Sequence, residues 1–527
     1  MNVSVHNIDE RPGRMPGSIV MDMASMRPPA EPKKVCVVGA GMSGLAAARE
    51  LRREGLAVTV LEQCGDIGGQ WLYDPRTDAD DPLGAAVPVN VHGSMYASVR
   101  LISTRETMGF SDFQFVPRPG AAGRDARRFP GRREVYCYLK DFCAAFGLAD
   151  AVRLNTRVVR VAMAAPAPRE ASGGDVKWLV RSVHVQPDGS EDGVAAEEVF
   201  DAVVVANGHY SQPRLPKIQG MGEWSRRQLH SHSYRVPDPY RDETVVIVGC
   251  GDSGLDIALD LSGVAKEVHL SARTVGDATT PAVSNILANH SDMHLHPQVH
   301  RLCEDGRVVF ADGSSVVADT VIYCTGYLYS FPFLDTGGVV TVDDNRVGPL
   351  FEHTFPPALA PSLSFVGIPM RVFVPWFLEA QARWIARVLS GTAALPPEQD
   401  MLQAVQEDYR AREMAGLPAR YSHDIGMFKI SEILEFVNRY TDLPNMEDWK
   451  MELLLTTLGN MKDNRETFQD RDDYSENVNQ GFQRWLSLAG AQYEAAIAAG
   501  GAGDDDAGGD AAEVQQKPLP LHLKSEL

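Results

Sequence analysis

Two stretches of the chain, about two hundred residues apart, repeat one pattern of apolar and polar positions. The first is a short apolar run, Val35 to Val38, followed at once by Gly39-Ala40-Gly41-Met42-Ser43-Gly44. LAAARELRREG comes next, with Leu45, Ala48 and Leu51 on one helical face and Gly55 closing it, and then a strand-like AVTVLE ending at Glu62. The second stretch runs TVVIVG, Gly249-Cys250-Gly251-Asp252-Ser253-Gly254, LDIALDLSG and KEVHLSAR. A buried-strand run, a 3.6-residue period and a second strand predict a strand–turn–helix–strand unit in each. Two further runs, FDAVVVANGHY (200–210) and ADTVIYCTGYLY (318–329), share an Asp, a β-branched strand and then Asn207-Gly208 or Thr325-Gly326. Each closes one half of the pattern. The predicted fold class is α/β with two Rossmann-like units.

Each glycine has a physical reason. Gly39 permits a tight turn, Gly41 lets the backbone approach a pyrophosphate, and Gly44 lets helix and strand pack closely. The helix N-terminus offers free N–H groups and a positive dipole end to phosphate. Glu62 lies 23 residues past Gly39. It can accept hydrogen bonds from a ribose diol and would repel a 2′-phosphate, so the first site suits FAD or NAD. Gly68-Gly69-Gln70-Trp71 follows; in two-dinucleotide flavoproteins such a run lies beside the flavin. The second unit has no acid at its strand end. It reads Ser271-Ala272-Arg273, with Arg273 24 residues past Gly249. A hydroxyl and a guanidinium match a 2′-phosphate, so the second site is expected to take NADPH.

Composition narrows the classes. The 527 residues are 44% hydrophobic and 23% charged, ordinary for a folded chain. Net charge is −20, which opposes general binding to nucleic acid or anionic membrane. No run approaches the length of a membrane span. The N-terminal segment lacks the features of a signal or transit peptide, and the terminal KSEL resembles a retention signal only loosely. Seven cysteines, with no C-x-x-C pair, fit a reducing, cytoplasmic setting better than a disulfide framework. His290, His294, His296 and His300 tempt a metal reading, but strand alternation is expected to split them between faces, so no metal site is expected.

These residues resemble the flavin-containing monooxygenases, and most of all the plant S-oxygenating branch that acts on glucosinolate thioethers. The resemblance runs from about Val35 to about Arg471. It rests on both glycine motifs and on ARRFPGRREVYCYLKDF (126–142), NGHYSQPRLPKIQG (207–220), LHSHSYRVPDPYRD (229–242), EDGRVVFADGSSVVADTVIYCTGY (304–327), FPFLDTGGVVTVDDNRVGPLFEHTFPP (331–357) and SFVGIP (364–369). The resemblance implies FAD, NADPH and O2, with the NADPH domain inserted into the FAD domain. The expected division is a disordered lead-in (1–31), the FAD domain's first part (32–208), the NADPH domain (209–326), the FAD domain's second part with C-terminal helices (327–496), and an acidic Gly/Ala/Asp tail (497–527). A polar loop is expected at 166–175. The implied reaction inserts one oxygen atom into a thioether sulfur or amine nitrogen through a flavin C4a-hydroperoxide.

Two departures from the family pattern stand out. In the family's identifying run Trp224, His230 and Tyr234 fit, but Arg226 replaces a Gly. Ile102 falls on an Asn whose amide, in the family, lies near the flavin; Ser103 and Thr104 are the possible substitutes. The sequence therefore leaves two other readings open. One is an uncoupled flavin NADPH oxidase that releases H2O2, and the other is a non-catalytic dinucleotide-binding redox sensor.

Overall fold

The computed structural model describes residues 31–118, 123–164, 176–186, 189–425 and 430–500. The expected lead-in, the 166–175 loop and most of the tail fall outside those residues. The last helix, Glu476–Gly500, continues through the point where the tail was expected to begin.

The two glycine units each seed a five-stranded parallel sheet. The first has the order Leu363–Phe365, Ala202–Val205, Lys34–Val38, Ala57–Leu61, Val152–Arg153. In the second the order is Met293–His296, Glu267–Ser271, Thr244–Val248, Thr320–Tyr323, Arg227–His230. The central strands are apolar on both faces because helices or a second sheet cover each side. The fold class is α/β, as the sequence predicts. In each half the strand that closes the pattern, Ala202–Val205 or Thr320–Tyr323, lies directly beside the first strand of its glycine unit. The chain passes between the two sheets twice. Both passages meet in a short antiparallel ribbon, Gln212–Pro213 with Tyr327–Leu328.

A four-stranded layer (Leu334–Asp335, Thr156–Met163, Trp178–Val185, Glu191–Phe200) covers one face of the first sheet, and the hydrophobic cluster around Trp178 and Phe365 lies between them. On the other face the glycine-loop helix Met42–Arg53 shares one core with helix Val374–Ser390 and the C-terminal helices. Among the described residues no helix is long and apolar enough to cross a membrane. All seven cysteines are free thiols.

A charge network is buried within that core. The Arg49 guanidinium bonds Glu379 at 2.8 Å, Glu50 at 2.8 Å and Asp112 at 2.6 Å. It also lies about 5 Å from the ring centres of Phe110, Phe142 and Phe146. Glu379 is fully buried and accepts from the Ser111 N–H and hydroxyl as well. Removing one member of such a set strands the others without water or counter-charge. Arg49→Ala is therefore expected to lower unfolding free energy by about 3–5 kcal/mol. Arg52→Ala, which breaks an exposed pair with Asp150, should cost under about 1 kcal/mol. Urea midpoints of the two variants check the contrast.

Candidate functional site: two clefts either side of a crossing ribbon

At the first glycine turn, Gly39 takes φ +102°, and a Cβ there would sit 2.7 Å from the Ala206 carbonyl oxygen. A Cβ on Gly44 would sit 1.8 Å from the Gly39 oxygen. The second turn repeats both contacts: a Cβ on Gly249 (φ +116°) would meet the Cys324 oxygen at 2.3 Å, and one on Gly254 the Gly249 oxygen at 2.0 Å. So the first glycine of each unit lies under the carbonyl that precedes Asn207-Gly208 or Thr325-Gly326. The final glycine relieves the turn's own backbone, a closer constraint than the helix–strand packing expected from sequence. The middle glycines differ. Gly251 faces open space, and Gly41 has only Gly69 near it, at 3.4 Å. Both middle glycines are helix N-caps, and no side chain caps either helix. Uncapped N–H groups at the mouth of an open cleft suit phosphate.

Gly39, Gly41, Met42, Ser43, Glu62, Gly69, Gln70 and Trp71 all line the first cleft. Ala40 and Gly44 lie behind its wall. Ala40 is nonetheless important: its N–H donates to Glu62 at 2.7 Å, and its carbonyl accepts from Gly68 N–H at 3.0 Å. Glu62 also accepts from Cys64 N–H at 2.8 Å. The carboxylate expected to face a ribose thus also braces the glycine turn. A Cβ on Gly69 (φ +56°) would come within 2.8 Å of Gly41 Cα, so the two glycine loops press backbone to backbone. Asn207, His209, Tyr210, His92 and Arg371 also line it. His92 and Arg371 were not singled out from sequence, because each reaches the cleft only through tertiary packing.

The second cleft, about 720 Å³, is lined by Gly249, Cys250, Ser271 and Arg273 and by two cations the sequence reading passed over, Arg214 and Lys217. They belong to the PRLPK run beyond the first crossing, and that basic pair was the available signal. Arg214 is fixed by its N–H to the Gly326 carbonyl and its Nε to the Thr325 carbonyl, both 2.9 Å. Arg273 is exposed and reaches the Tyr421 hydroxyl; that contact, with Arg420, lowers the Tyr421 pKa. Several residues expected to contact NADPH also have partners within the protein. The Ser271 hydroxyl is committed to the protein, donating to Pro297 O at 3.0 Å and accepting from Val299 N–H at 3.1 Å. Asp252 points elsewhere, pairing with Arg465 at 2.8 Å. Gly251, Ser253 and Gly254 are not among the lining residues, but Gly251 directly follows Cys250 in the wall and caps the helix that begins there.

The identifying run does not converge on one point. Trp224 is buried in the outer core, away from both clefts. Tyr234 donates to Asp260 at 2.6 Å, on the second glycine helix. That helix presents Asp252, Asp256 and Asp260 to partners outside its own sheet; Asp256 receives Arg465 at 2.8 Å and the Tyr96 hydroxyl at 3.3 Å. His230 is fully buried beside the crossing, its ring 5.2 Å from that of Tyr327 and its Nε2 without a hydrogen-bond partner. Arg226 needs no glycine-like backbone, since its φ is not positive. Its guanidinium donates to Ala318 O at 2.7 Å and lies over Gly306.

Ile102, Ser103 and Thr104 do not line the first cleft either. Leu101 N–H is tied to Pro130 O and Arg105 N–H to Arg128 O, which holds the segment against 128–130. Ile102 is 37% exposed, and Thr104 is buried against Thr107. Of the four histidines considered for metal, His290 pairs with Glu466 at 2.6 Å and His300 is exposed. His294 and His296 share one face of their strand, contrary to the expected split, because they are two residues apart.

With this geometry in place, the comparisons with known proteins are specific. The family described as flavin-binding monooxygenase-like matches residues 32–280 and 278–456. The chain belongs to this family. The flavin-containing monooxygenase FMO GS-OX-like 8 of Arabidopsis thaliana is 52% identical over 84% of this chain and 92% of its own length. The solved S-allyl-L-cysteine S-oxygenase of Allium sativum is 41% identical, with a TM-score of 0.78, over 86% of this chain and 99% of its own. Tmm from a Pelagibacter strain, 22% identical with a TM-score of 0.66, shares the fold. Proteins of this family bind a flavin.

Two outcomes follow from the glycine turns and the buried histidines. Gly44→Ala should yield protein without the flavin absorbance near 450 nm and with a broadened unfolding transition, because its Cβ meets backbone. Gly41→Ala should fold normally and lose flavin affinity only, because its Cβ projects towards the other glycine loop and the cleft. Burial pushes His230 down to about 3, with His232 adding to the effect, and burial likewise lowers His92, His209 and His232. The unfolded chain binds protons on these imidazoles below about pH 6.5 that the folded chain refuses. Their contribution to stability is complete above about pH 6.5 and is lost as pH falls towards about 3. Urea midpoints should decline through that window, and His230→Asn should make the decline shallower.

Proposed function

We propose that the chain is an FAD- and NADPH-dependent monooxygenase that moves one oxygen atom from O2 to a soft nucleophile, a thioether sulfur or an amine nitrogen. The observation that carries this reading is the paired geometry: two uncapped glycine turns, each opening on its own cleft, either side of one crossing ribbon. Family membership and the S-oxygenase among the relatives support the same reaction class. In this reading residues 32–208 and 327–496 hold FAD, and the inserted 209–326 holds NADPH.

Bound FAD supplies the redox chemistry, accepting hydride from NADPH and reacting with O2 once reduced. The chain's own task is to bind, orient and exclude water. At the first cleft the N–H groups beyond Gly41 receive the pyrophosphate, and Glu62 accepts from the ribose while holding the turn. Gly69, Gln70 and Trp71 wall the same cleft and would help hold the flavin. At the second cleft the helix mouth at Gly251 receives the other pyrophosphate. Arg273 takes the 2′-phosphate, with Arg214 and Lys217 supplying further positive charge. No side chain need act as acid or base at the oxygen-transfer step. His230 positions the crossing that joins the clefts.

The direct test uses S-allyl-L-cysteine and a dimethylaniline as probe substrates. Product that carries label from 18O2, formed in step with NADPH consumed, is the expected result. NADPH consumption matched only by H2O2 would instead favour the oxidase reading, and a colourless protein the sensor.

Arg273→Ala is expected to weaken NADPH by roughly ten- to a hundredfold while NADH loses little, because only NADPH carries the phosphate. KM ratios for the two nucleotides check it. Equal losses would remove Arg273 from this role.

A further inference from the structure

The second sheet carries a cluster of ligand-type side chains that dinucleotide binding does not use. Strands Glu267–Ser271 and Met293–His296 pair in parallel, with His269 opposite His294 and Ser271 opposite His296. Val268, Leu270 and Met293 point into the core under the glycine helix. Glu267, His269, His294 and His296 therefore share the other face. One oxygen of Glu267 and one ring nitrogen each from His269 and His294 lie within 4.8 Å of one another. Among the described residues this is the one group of three or more such side chains close enough to hold a metal.

We propose that Glu267, His269 and His294 form a binding site for a divalent transition-metal ion, Zn2+, on the outer strands of the second sheet. Two imidazoles and one carboxylate are a recurrent ligand set for zinc, with a water in the fourth position. His269 is anchored: its side chain is only 8% exposed, and its Nδ1 lies 2.9 Å from His296 Nε2. His296 is itself held by stacking on Phe310, with ring centres 4.0 Å apart and planes within 6°. When His269 Nδ1–H donates to His296, the His269 Nε2 lone pair is left facing Glu267 Oε2, 3.3 Å away. In that tautomer the two acceptors face each other at a separation a metal ion can bridge. This is the outer-sphere arrangement that fixes the tautomer of a metal-binding histidine. Tetrahedral zinc needs donor atoms about 3.4 Å apart. Glu267 and His294 are both partly exposed and can close the remaining distance by side-chain rotation. The ion would tie the outermost strand to its neighbour, two residues before Ser271 at the NADPH cleft.

The test uses full-length, FAD-loaded protein, treated with chelator and dialysed. Titration calorimetry with ZnCl2 should give one ion per chain at micromolar affinity, and zinc should raise the Tm by about 3 °C at saturating metal. Glu267→Gln and His294→Ala should each weaken zinc by at least about tenfold and abolish the shift. Both should keep their flavin absorbance and their metal-free Tm, since neither side chain is in the core. His296→Asn should give an intermediate loss, and His300→Ala none. Failure of the wild type to bind one ion at about 100 μM zinc would overturn the proposal. So would Glu267→Gln and His294→Ala variants that bind as tightly as wild type.

Discussion

The Ala206 carbonyl lies where a side chain on Gly39 would have to go, and the Cys324 carbonyl does the same above Gly249. This backbone-on-backbone contact is made once in each half, and much of the structure depends on it. It brings the strand that ends each half directly onto the glycine turn that begins it. It also sets where the chain leaves: just past each contact come Asn207-Gly208 and Thr325-Gly326, and from there both passages enter the ribbon at Gln212–Pro213 and Tyr327–Leu328. The two clefts therefore open next to the same crossing, one on each side of it.

Buried charges hold the crossing in place. Arg235 is 7% exposed and spends all its guanidinium donors on carbonyls of Asp74, Arg76, Gly93, His232 and Tyr234. It thereby fastens the long irregular segment after Trp71 to the turn that follows His230. Arg465 spans Asp252 and Asp256 from the C-terminal region, and Tyr234 meets Asp260 on the same helix. A helix whose acids bond to partners beyond its own sheet is fixed in orientation as well as in position. Arg235 uses all five of its N–H donors and Arg465 pairs with two carboxylates at once, which neutral side chains could not reproduce. Arg49 plays the same part between the first glycine helix and Glu379.

Several polar residues that line a cleft also brace its walls. Glu62 accepts from Ala40 and Cys64 while lining the first cleft, and the Ser271 hydroxyl ties Pro297 to Val299 while lining the second. Positions that look from sequence like pure ligand contacts are also braces for the backbone around them. The same economy explains Arg226, which replaces a family glycine without strain. Its head group satisfies carbonyls of the Asp305–Ala318 hairpin.

The two parallel sheets, both glycine turns and the strands that close each half were legible in the sequence. All of these rest on local spacing: apolar periodicity, glycines at fixed offsets, and an acid or an arginine at a strand end. Family resemblance added the cofactors and the order of the halves. What spacing could not give was anything made by residues far apart in the chain. Arg214 and Lys217 reach the second cleft only because the crossings pair, and Tyr421 meets Arg273 from 148 residues away. Ile102 falls on a family motif position by resemblance, yet the bonds of its neighbours to Pro130 and Arg128 leave it exposed. Glu267 and His269 join His294 because two parallel strands align in one register, and strand register is fixed by the packed faces of the whole sheet, which no single segment of sequence contains.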